Sequence, residues 1–181
     1  MTLSVEDGQL YYKLWRPLLD YVNEKFGINK NLPKIAEASG LDAADVEKVA
    51  VKLWEDVSVI DEYLSANREI PEEHRNIIAG WKRRIQGKFI LERHLKSGSI
   101  FISMENEEVY QVKGIVSSWD EMLYYARPPI LVEATFLPFK DVIIPDSLAR
   151  MYNIVIGGNM TRDFKDMYMQ AKKNGRIHRT L

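Results

Sequence analysis

The hydrophobic period changes once along this chain of 181 residues, and that change sets the fold class. Up to about residue 87, apolar side chains such as Leu14, Leu18 and Val22 recur at helical spacing. From residue 88, residues 88–103 read as two strands joined by a turn at 96–99. The order predicts an α+β protein, in which an N-terminal helical bundle precedes a mainly antiparallel β-sheet half with a C-terminal helix.

We therefore expect two domains, a helical domain at 1–87 and a β-rich α+β domain at 88–181 packed against it, because no Gly/Ser-rich linker separates them. Pro17 predicts a kink or break of the first helix near Trp15-Arg16. The later elements expected from the pattern are strands at 109–112, 130–136, 142–144 and 153–156, a short helix from Ser118, and a final helix that follows Gly157-Gly158 and ends at Gly175.

Residues 32–53 have the spacing of a helix-turn-helix-like unit, with a short helix after Pro33, a left-handed turn at Gly40 and a longer helix from about Asp42. A DNA-reading helix needs a basic face, whereas this one begins with Asp42 and Asp45. Acidic residues in a first turn also stabilise the helix dipole. We interpret the unit as structural or protein-contacting rather than as DNA-binding.

The stretch Trp15-Arg16-Pro17-Leu-Leu-Asp-Tyr-Val-Asn, the Gly87–Ser103 meander and the Tyr152–Gly158 run together resemble an uncharacterised bacterial protein family. That resemblance implies no activity, no ligand and no catalytic residue. The helix-turn-helix resemblance is confined to residues 32–53.

Composition excludes several classes of function. The chain has no cysteine, so disulfides, thiol catalysis and zinc-thiolate sites are excluded. A net charge of −1 gives no whole-molecule attraction to nucleic acid or to an anionic membrane. No secretory signal is visible, and no apolar run reaches the roughly 18 residues of a membrane span. We expect a cytoplasmic protein without a membrane partner.

Two basic clusters are candidates for contact with nucleic acid or with an acidic partner. Residues 1–87 hold 12 Lys/Arg and 15 Asp/Glu, whereas residues 88–181 hold 13 and 11. The clusters consist of Arg83 and Arg84 beside Trp81, and of Lys172, Lys173, Arg176 and Arg179 near the end. Cations at helix ends also complement the helix dipole, and we favour that interpretation.

The turn before the last helix is a candidate anion site. Glycine followed by a helix N-terminus leaves backbone amides open, and the residues concerned are Gly158, Asn159, Thr161 and Arg162. The alternative is a structural turn in which Asn159 or Thr161 caps the helix. The sequence has neither the Lys-Ser/Thr pair of a P-loop nor the third glycine of a dinucleotide motif.

Catalysis has little support in this sequence. Glu92 and His94 fall on one face of a predicted strand, where Glu133 of another strand is a candidate to join them in an acid/base or metal cluster. Such a face is more often solvated, and His74, His94 and His178 form no metal-ligand pattern. We assign no catalytic residue, no metal and no cofactor.

The adjacent tyrosines Tyr124 and Tyr125, with Trp119 nearby, form either a protein-contact patch or a cover between the two halves. The leading functional hypothesis is a non-enzymatic protein-interaction or regulatory module, with a protein partner or a second copy. The alternatives are nucleic-acid binding through the basic C-terminal residues, and a small anionic ligand or enzyme site at Gly157–Arg162 or Glu92/His94.

Overall fold

The computed structural model describes residues 1–38 and 40–181, which form an α+β protein of two compact units. One unit is residues 6–82, and the other combines residues 83–181 with the N-terminal residues 1–5. The division falls before the predicted boundary at residue 87. This division also gives a larger difference in net charge between the two parts than a division at residue 87. Residues 6–82 carry 10 Lys/Arg and 15 Asp/Glu, whereas the remainder carries 15 and 11.

The helical unit contains four helices: α1 (Val5–Phe26), α2 (Ala43–Glu55), α3 (Ser58–Ala66) and α4 (Glu72–Gly80). Aromatic rings fill its core: the Trp15 ring stacks on that of Trp54 at 5.4 Å and meets that of Trp81 edge to face at 5.6 Å. The predicted break near Trp15-Arg16 is wrong, because α1 continues through Pro17. Burial of one apolar stripe along α1 offsets the backbone hydrogen bond that proline removes.

The helix-turn-helix-like unit is not confirmed. The helix expected after Pro33 is a turn at residues 35–37, and Ser39 lies outside the described residues. The Asp20 carboxylate on α1 accepts hydrogen bonds from the backbone N–H groups of Ile35 and Ala36, at 2.7 and 3.0 Å. These amides are held by a side chain from another helix, so a local pattern of apolar residues does not decide their conformation. The second predicted helix exists as α2, capped by Asp42.

The other unit is built on six strands: β1 (Ile85–Leu95), β2 (Gly98–Ser103), β3 (Val109–Val112), β4 (Ile130–Phe139), β5 (Val142–Met151) and β6 (Ile177–His178). Two helices complete it, α5 (Trp119–Met122) and α6 (Gly158–Lys173). The strand order is β2-β1-β4-β5-β3-β6, and β2 also pairs with β3. The first five strands therefore close into a barrel.

Most neighbours in the barrel are antiparallel, and the parallel pairs both involve β3. Val112 of β3 pairs with Ile143 of β5, and Val109 and Tyr110 pair with Ile177 and His178 of β6. The long β1 serves two neighbours, since its first half pairs with β4 and its second half with β2. The three-strand meander predicted from residue 88 is confirmed.

Alternating residues of the barrel strands enter two separate cores. Phe89, Leu91 and Phe101 point into the barrel, whereas Ile90 and Ile100 point outward and pack against α6. The buried face of α6 consists of Phe164, Tyr168 and Ala171. Every residue of β2 is therefore buried, because one of its faces lines the barrel and the other lies under α6.

Two predicted boundaries and one predicted strand are wrong. Helix α4 ends at Gly80, a 3₁₀ turn occupies Trp81–Arg83, and β1 begins at Ile85 rather than at residue 88. The strand predicted at 153–156 does not form, because β5 already extends to Met151 and no neighbouring strand is left to pair with the residues that follow. Val155 is almost fully exposed as a result. Among the described helices, none has the length and apolarity needed to cross a membrane.

Candidate functional site

Helix α5 is held in place by a buried tryptophan. Trp119 is 3% exposed, and its ring centroid lies 4.8 Å from that of Phe101 and 6.3 Å from that of Phe136 inside the barrel. Leu123, just beyond the helix, packs against the same core. Trp119 is therefore an anchor for the segment, not the exposed ring that its proximity to the tyrosines had suggested.

A capping box fixes the start of the same helix. The Ser118 backbone N–H and hydroxyl donate to the Glu121 carboxylate at 2.8 and 2.7 Å. These bonds lower the pKa of Glu121, the backbone bond contributing most. A side-chain hydrogen bond with Ser118 likewise lowers the pKa of Asp120. Both carboxylates remain charged at neutral pH, beside a rigid turn of backbone.

Four large apolar side chains next to this anchor face solvent. Their exposed fractions are 68% for Val116, 42% for Met122, 84% for Tyr124 and 64% for Tyr125. The two tyrosine rings lie 5.5 Å apart at 90° and so support each other edge to face. We call Val116, Met122, Tyr124 and Tyr125 the tyrosine surface. Both tyrosine side chains are therefore exposed.

The basic tail meets an acidic turn. Glu105, Glu107 and Glu108 lie in the turn between β2 and β3, and the tail forms β6 directly beside β3. The His178 Nε2 atom is 2.8 Å from a Glu108 carboxylate oxygen, and the His178 ring stacks on Tyr110 at 5.1 Å. The charge contact that the structure shows between the tail and this turn is that of His178 with Glu108. Charge complementarity between residues 105–108 and the tail was the sequence signal for this contact.

The other members of the two basic clusters lie apart along the fold. Lys172 and Lys173 end α6 and Arg179 follows β6, and all three are exposed. Arg83 and Arg84 precede β1, a strand that pairs with β2 and β4 but not with β3 or β6. Burial lowers the pKa of Arg84.

The candidate anion site is a helix N-terminus, as expected, and the Thr161 hydroxyl in it is already hydrogen-bonded. Gly157 is the N-cap of α6, and neither Asn159 nor Thr161 caps the helix with its side chain. The Thr161 N–H and hydroxyl both donate to the Gly157 carbonyl oxygen, at 3.0 and 3.1 Å. Gly158, Asn159 and Arg162 are exposed. The segment before the helix is irregular rather than the expected strand.

The Glu92/His94 pair is divided by a bulge in β1. The register with β2 shifts between Leu91 and Arg93, so Glu92 is the unpaired extra residue and bonds to Arg93 at 2.8 Å. His94 instead contacts the Ser99 hydroxyl through Nδ1 at 2.8 Å, and burial lowers the pKa of His94.

Glu133 does not join Glu92 and His94, because it pairs in register with Lys88 and accepts a hydrogen bond from Tyr152. In the described part of the chain, no group of three or more His, Asp or Glu side chains is placed to hold a metal ion.

Helix α6 covers part of the outer surface of the barrel, where it packs on outward residues of β1, β2 and β3, including Ile90, Ile100 and Val109. That face is occupied by the chain itself.

Comparison with protein-family models, curated proteins and solved structures gave no match.

Proposed function

We propose that this protein is a non-enzymatic protein-interaction module, and that the tyrosine surface is where its partner binds. The observation that carries the proposal is the exposure of Tyr124 and Tyr125 on a segment that the buried Trp119 holds rigid. Tyrosine gives a large contact area for little loss of conformational entropy. Anchoring by Trp119 reduces that loss further, because the backbone is ordered before binding.

The charges beside the tyrosine surface favour a protein over a nucleic acid. Asp120 and Glu121 are exposed and ionised, and the cations near them include Arg127 along the chain and the N-terminal ammonium, whose charge helps to lower the pKa of both carboxyls. Two carboxylates repel phosphates, and nucleic-acid affinity depends on phosphate neutralisation. The partner that fits is a protein with an apolar contact patch bordered by lysine or arginine.

Site-specific photo-crosslinking in cells tests the proposal. Tyr125→p-benzoylphenylalanine places the reactive group on the tyrosine surface, and Lys165→p-benzoylphenylalanine places it on an exposed position of α6 as the matched control. We expect one protein to be crosslinked from position 125 and not from position 165. The same products from both positions, or none from 125, would contradict the proposal.

Binding of the purified partner supplies the second half of the test. We expect Tyr124→Ser with Tyr125→Ser to weaken binding by about tenfold or more. Val155→Ser, which removes an equally exposed apolar side chain elsewhere in the same unit, should leave the affinity unchanged. Sedimentation of the wild-type chain over a range of concentrations shows whether the partner is a second copy.

Fluorescence anisotropy with labelled single-stranded DNA and RNA distinguishes the nucleic-acid alternative. The proposal predicts no salt-sensitive binding near physiological ionic strength. Binding that weakens as salt rises, and that is lost in the Tyr124→Ser, Tyr125→Ser variant, would replace the protein partner with a nucleic acid.

A further inference from the structure

A small polar cleft lies between the acidic turn and the C-terminal end of α6. Its volume is about 160 Å³, and its lining comes from Asn106, Glu107, Glu108, Val109, Met167, Gln170, Ala171 and Arg176. A single water needs only about 10–15 Å³ of such space, so the cleft has room for more than one water. A molecule of a few non-hydrogen atoms would fill it.

The turn that forms one wall is fixed by hydrogen bonds. The Ser103 hydroxyl accepts from the N–H groups of Glu105 and Asn106, at 3.2 and 3.4 Å, and the Asn106 side-chain oxygen accepts from Glu108 N–H at 3.1 Å. Glu107 takes a left-handed conformation with φ of 60°. The two glutamates that line the cleft are thus carried by an ordered backbone.

The opposite wall is fixed by the end of α6. The Arg176 N–H donates to the Ala171 carbonyl at 2.8 Å, and Gly175 has φ of 65°, the pattern of a Schellman motif. The contact of His178 with Glu108 and the pairing of β6 with β3 then tie this wall to the turn. The cleft is therefore formed by two elements in a defined separation.

Opposite charges line the cleft without pairing to each other. Glu107 and Arg176 both line the cleft, and in the described part of the chain neither the Glu107 carboxylate nor the Arg176 guanidinium forms an ion pair. A guanidinium is suited to a carboxylate, which it binds through two N–H groups, and a carboxylate is suited to an ammonium group. The ligand that matches both is small and carries one charge of each sign.

We propose that this cleft binds a zwitterionic α-amino acid, whose carboxylate contacts Arg176 and whose ammonium contacts Glu107. The Gln170 amide and the Glu108 carboxylate are the further polar groups of the lining. Because water screens exposed charges, we expect weak binding, with a dissociation constant of about 1 mM. The site is on different residues from the tyrosine surface and does not depend on the protein-interaction proposal.

The experiment is an NMR titration of the full ¹⁵N-labelled chain with L-alanine. Propionate is L-alanine without its ammonium group, and ethylamine is L-alanine without its carboxylate, so each probe carries only one of the two charges. We expect saturable shifts of the Glu107, Gln170 and Arg176 amides with L-alanine, and affinities at least about tenfold weaker for the two singly charged probes. Equal binding of propionate would overturn the proposal in favour of a simple anion site, and equal binding of ethylamine in favour of a cation site.

Variants at exposed positions complete the test without risk to the fold. Arg176→Gln and Glu107→Gln should each weaken L-alanine binding by about tenfold, while Lys172→Gln, one residue beyond the cleft on α6, should not. No saturable shift with L-alanine at about tenfold the expected dissociation constant would overturn the proposal. Equal losses of L-alanine affinity in all three variants would also overturn the proposal, because they would indicate a dependence on net charge rather than on contacts within the cleft.

Discussion

The Glu108 carboxylate and the His178 imidazole are 2.8 Å apart although 70 residues separate them in the sequence. Glu108 immediately precedes β3, and His178 is the second residue of β6, which runs parallel to β3. The contact marks the point where the C-terminus joins the barrel sheet. Two residues of the basic tail, Ile177 and His178, are thus part of the sheet, and one of them lies against an acidic side chain.

The apolar residue of β6 should contribute more stability than its charged neighbour. Ile177 is buried under α6, so Ile177→Ala should lower the free energy of unfolding of the barrel unit by about 2 kcal/mol. His178→Ala removes an exposed pair and should cost less than about 1 kcal/mol. Amide hydrogen exchange of the β2 residues measures the free energy of unfolding of the barrel unit separately from that of the helical unit. A larger loss for His178→Ala would mean that the ion pair, not burial, holds the tail.

Trp119 and Tyr124 should behave in opposite ways in stability and binding measurements. Trp119→Ala opens a cavity in the barrel, and we expect a loss of about 3–5 kcal/mol in hydrogen-exchange stability. Tyr124→Ala changes an exposed side chain and should stay within about 0.5 kcal/mol. A stability loss above about 1 kcal/mol for Tyr124→Ala would show that the Tyr124 side chain packs on this protein and is not available for contact with a partner.

The capping box should control the titration of Glu121. Its pKa is lowered in the folded chain, so it contributes stability above its unfolded pKa, and this contribution is lost as the pH falls through the folded pKa. Ser118→Ala removes the hydroxyl donor but keeps the backbone N–H, which is the larger cause of the shift. Carbon-13 NMR of the carboxyl should therefore show a pKa that rises only part of the way to its usual value. No rise would exclude the hydroxyl from the cap.

Gly114 should not tolerate a side chain. A Cβ at this position would lie 2.0 Å from the Ser117 carbonyl oxygen, and the Gly114 N–H donates to the Met1 carbonyl at 3.1 Å. We expect Gly114→Ala to cost at least about 1–3 kcal/mol, because backbone must move. Gly158→Ala places its Cβ in open space in the first turn of α6 and should be neutral or stabilising. Thermal unfolding of the two variants compares them directly, and equal melting temperatures would contradict the expected clash.

Local patterns predicted most elements of this fold. The meander of β1, β2 and β3, the capped helix α5 and the termination of α6 just before Gly175 follow from alternation, a Ser-x-x-Glu spacing and a glycine after a helical stripe. The errors occur where distant residues decide. The Asp20 carboxylate holds the turn after Pro33, and β5 extends to Met151 because β4 offers it a partner along that length.

The candidate site was only partly visible in the sequence. The tyrosine pair was recognised there, but its exposure depends on how Trp119 enters the barrel. Glu92 and His94 looked like neighbours on one face, and a one-residue bulge turned them to different partners. Alternation along a strand cannot reveal a bulge, because the shift is defined by pairing with a second strand.

By itself the sequence determined the α+β class, the helical first half and the strand-rich second half, because hydrophobic period is a property of neighbouring residues. The sequence also excluded disulfides, thiol catalysis and zinc-thiolate sites, because the chain has no cysteine. Only the tertiary structure decided that β3 pairs with β5 and β6 to close the barrel, and that α6 covers its outer face. Those pairings join residues far apart in the chain, and their energy comes from burial that exists only once all the partners are assembled.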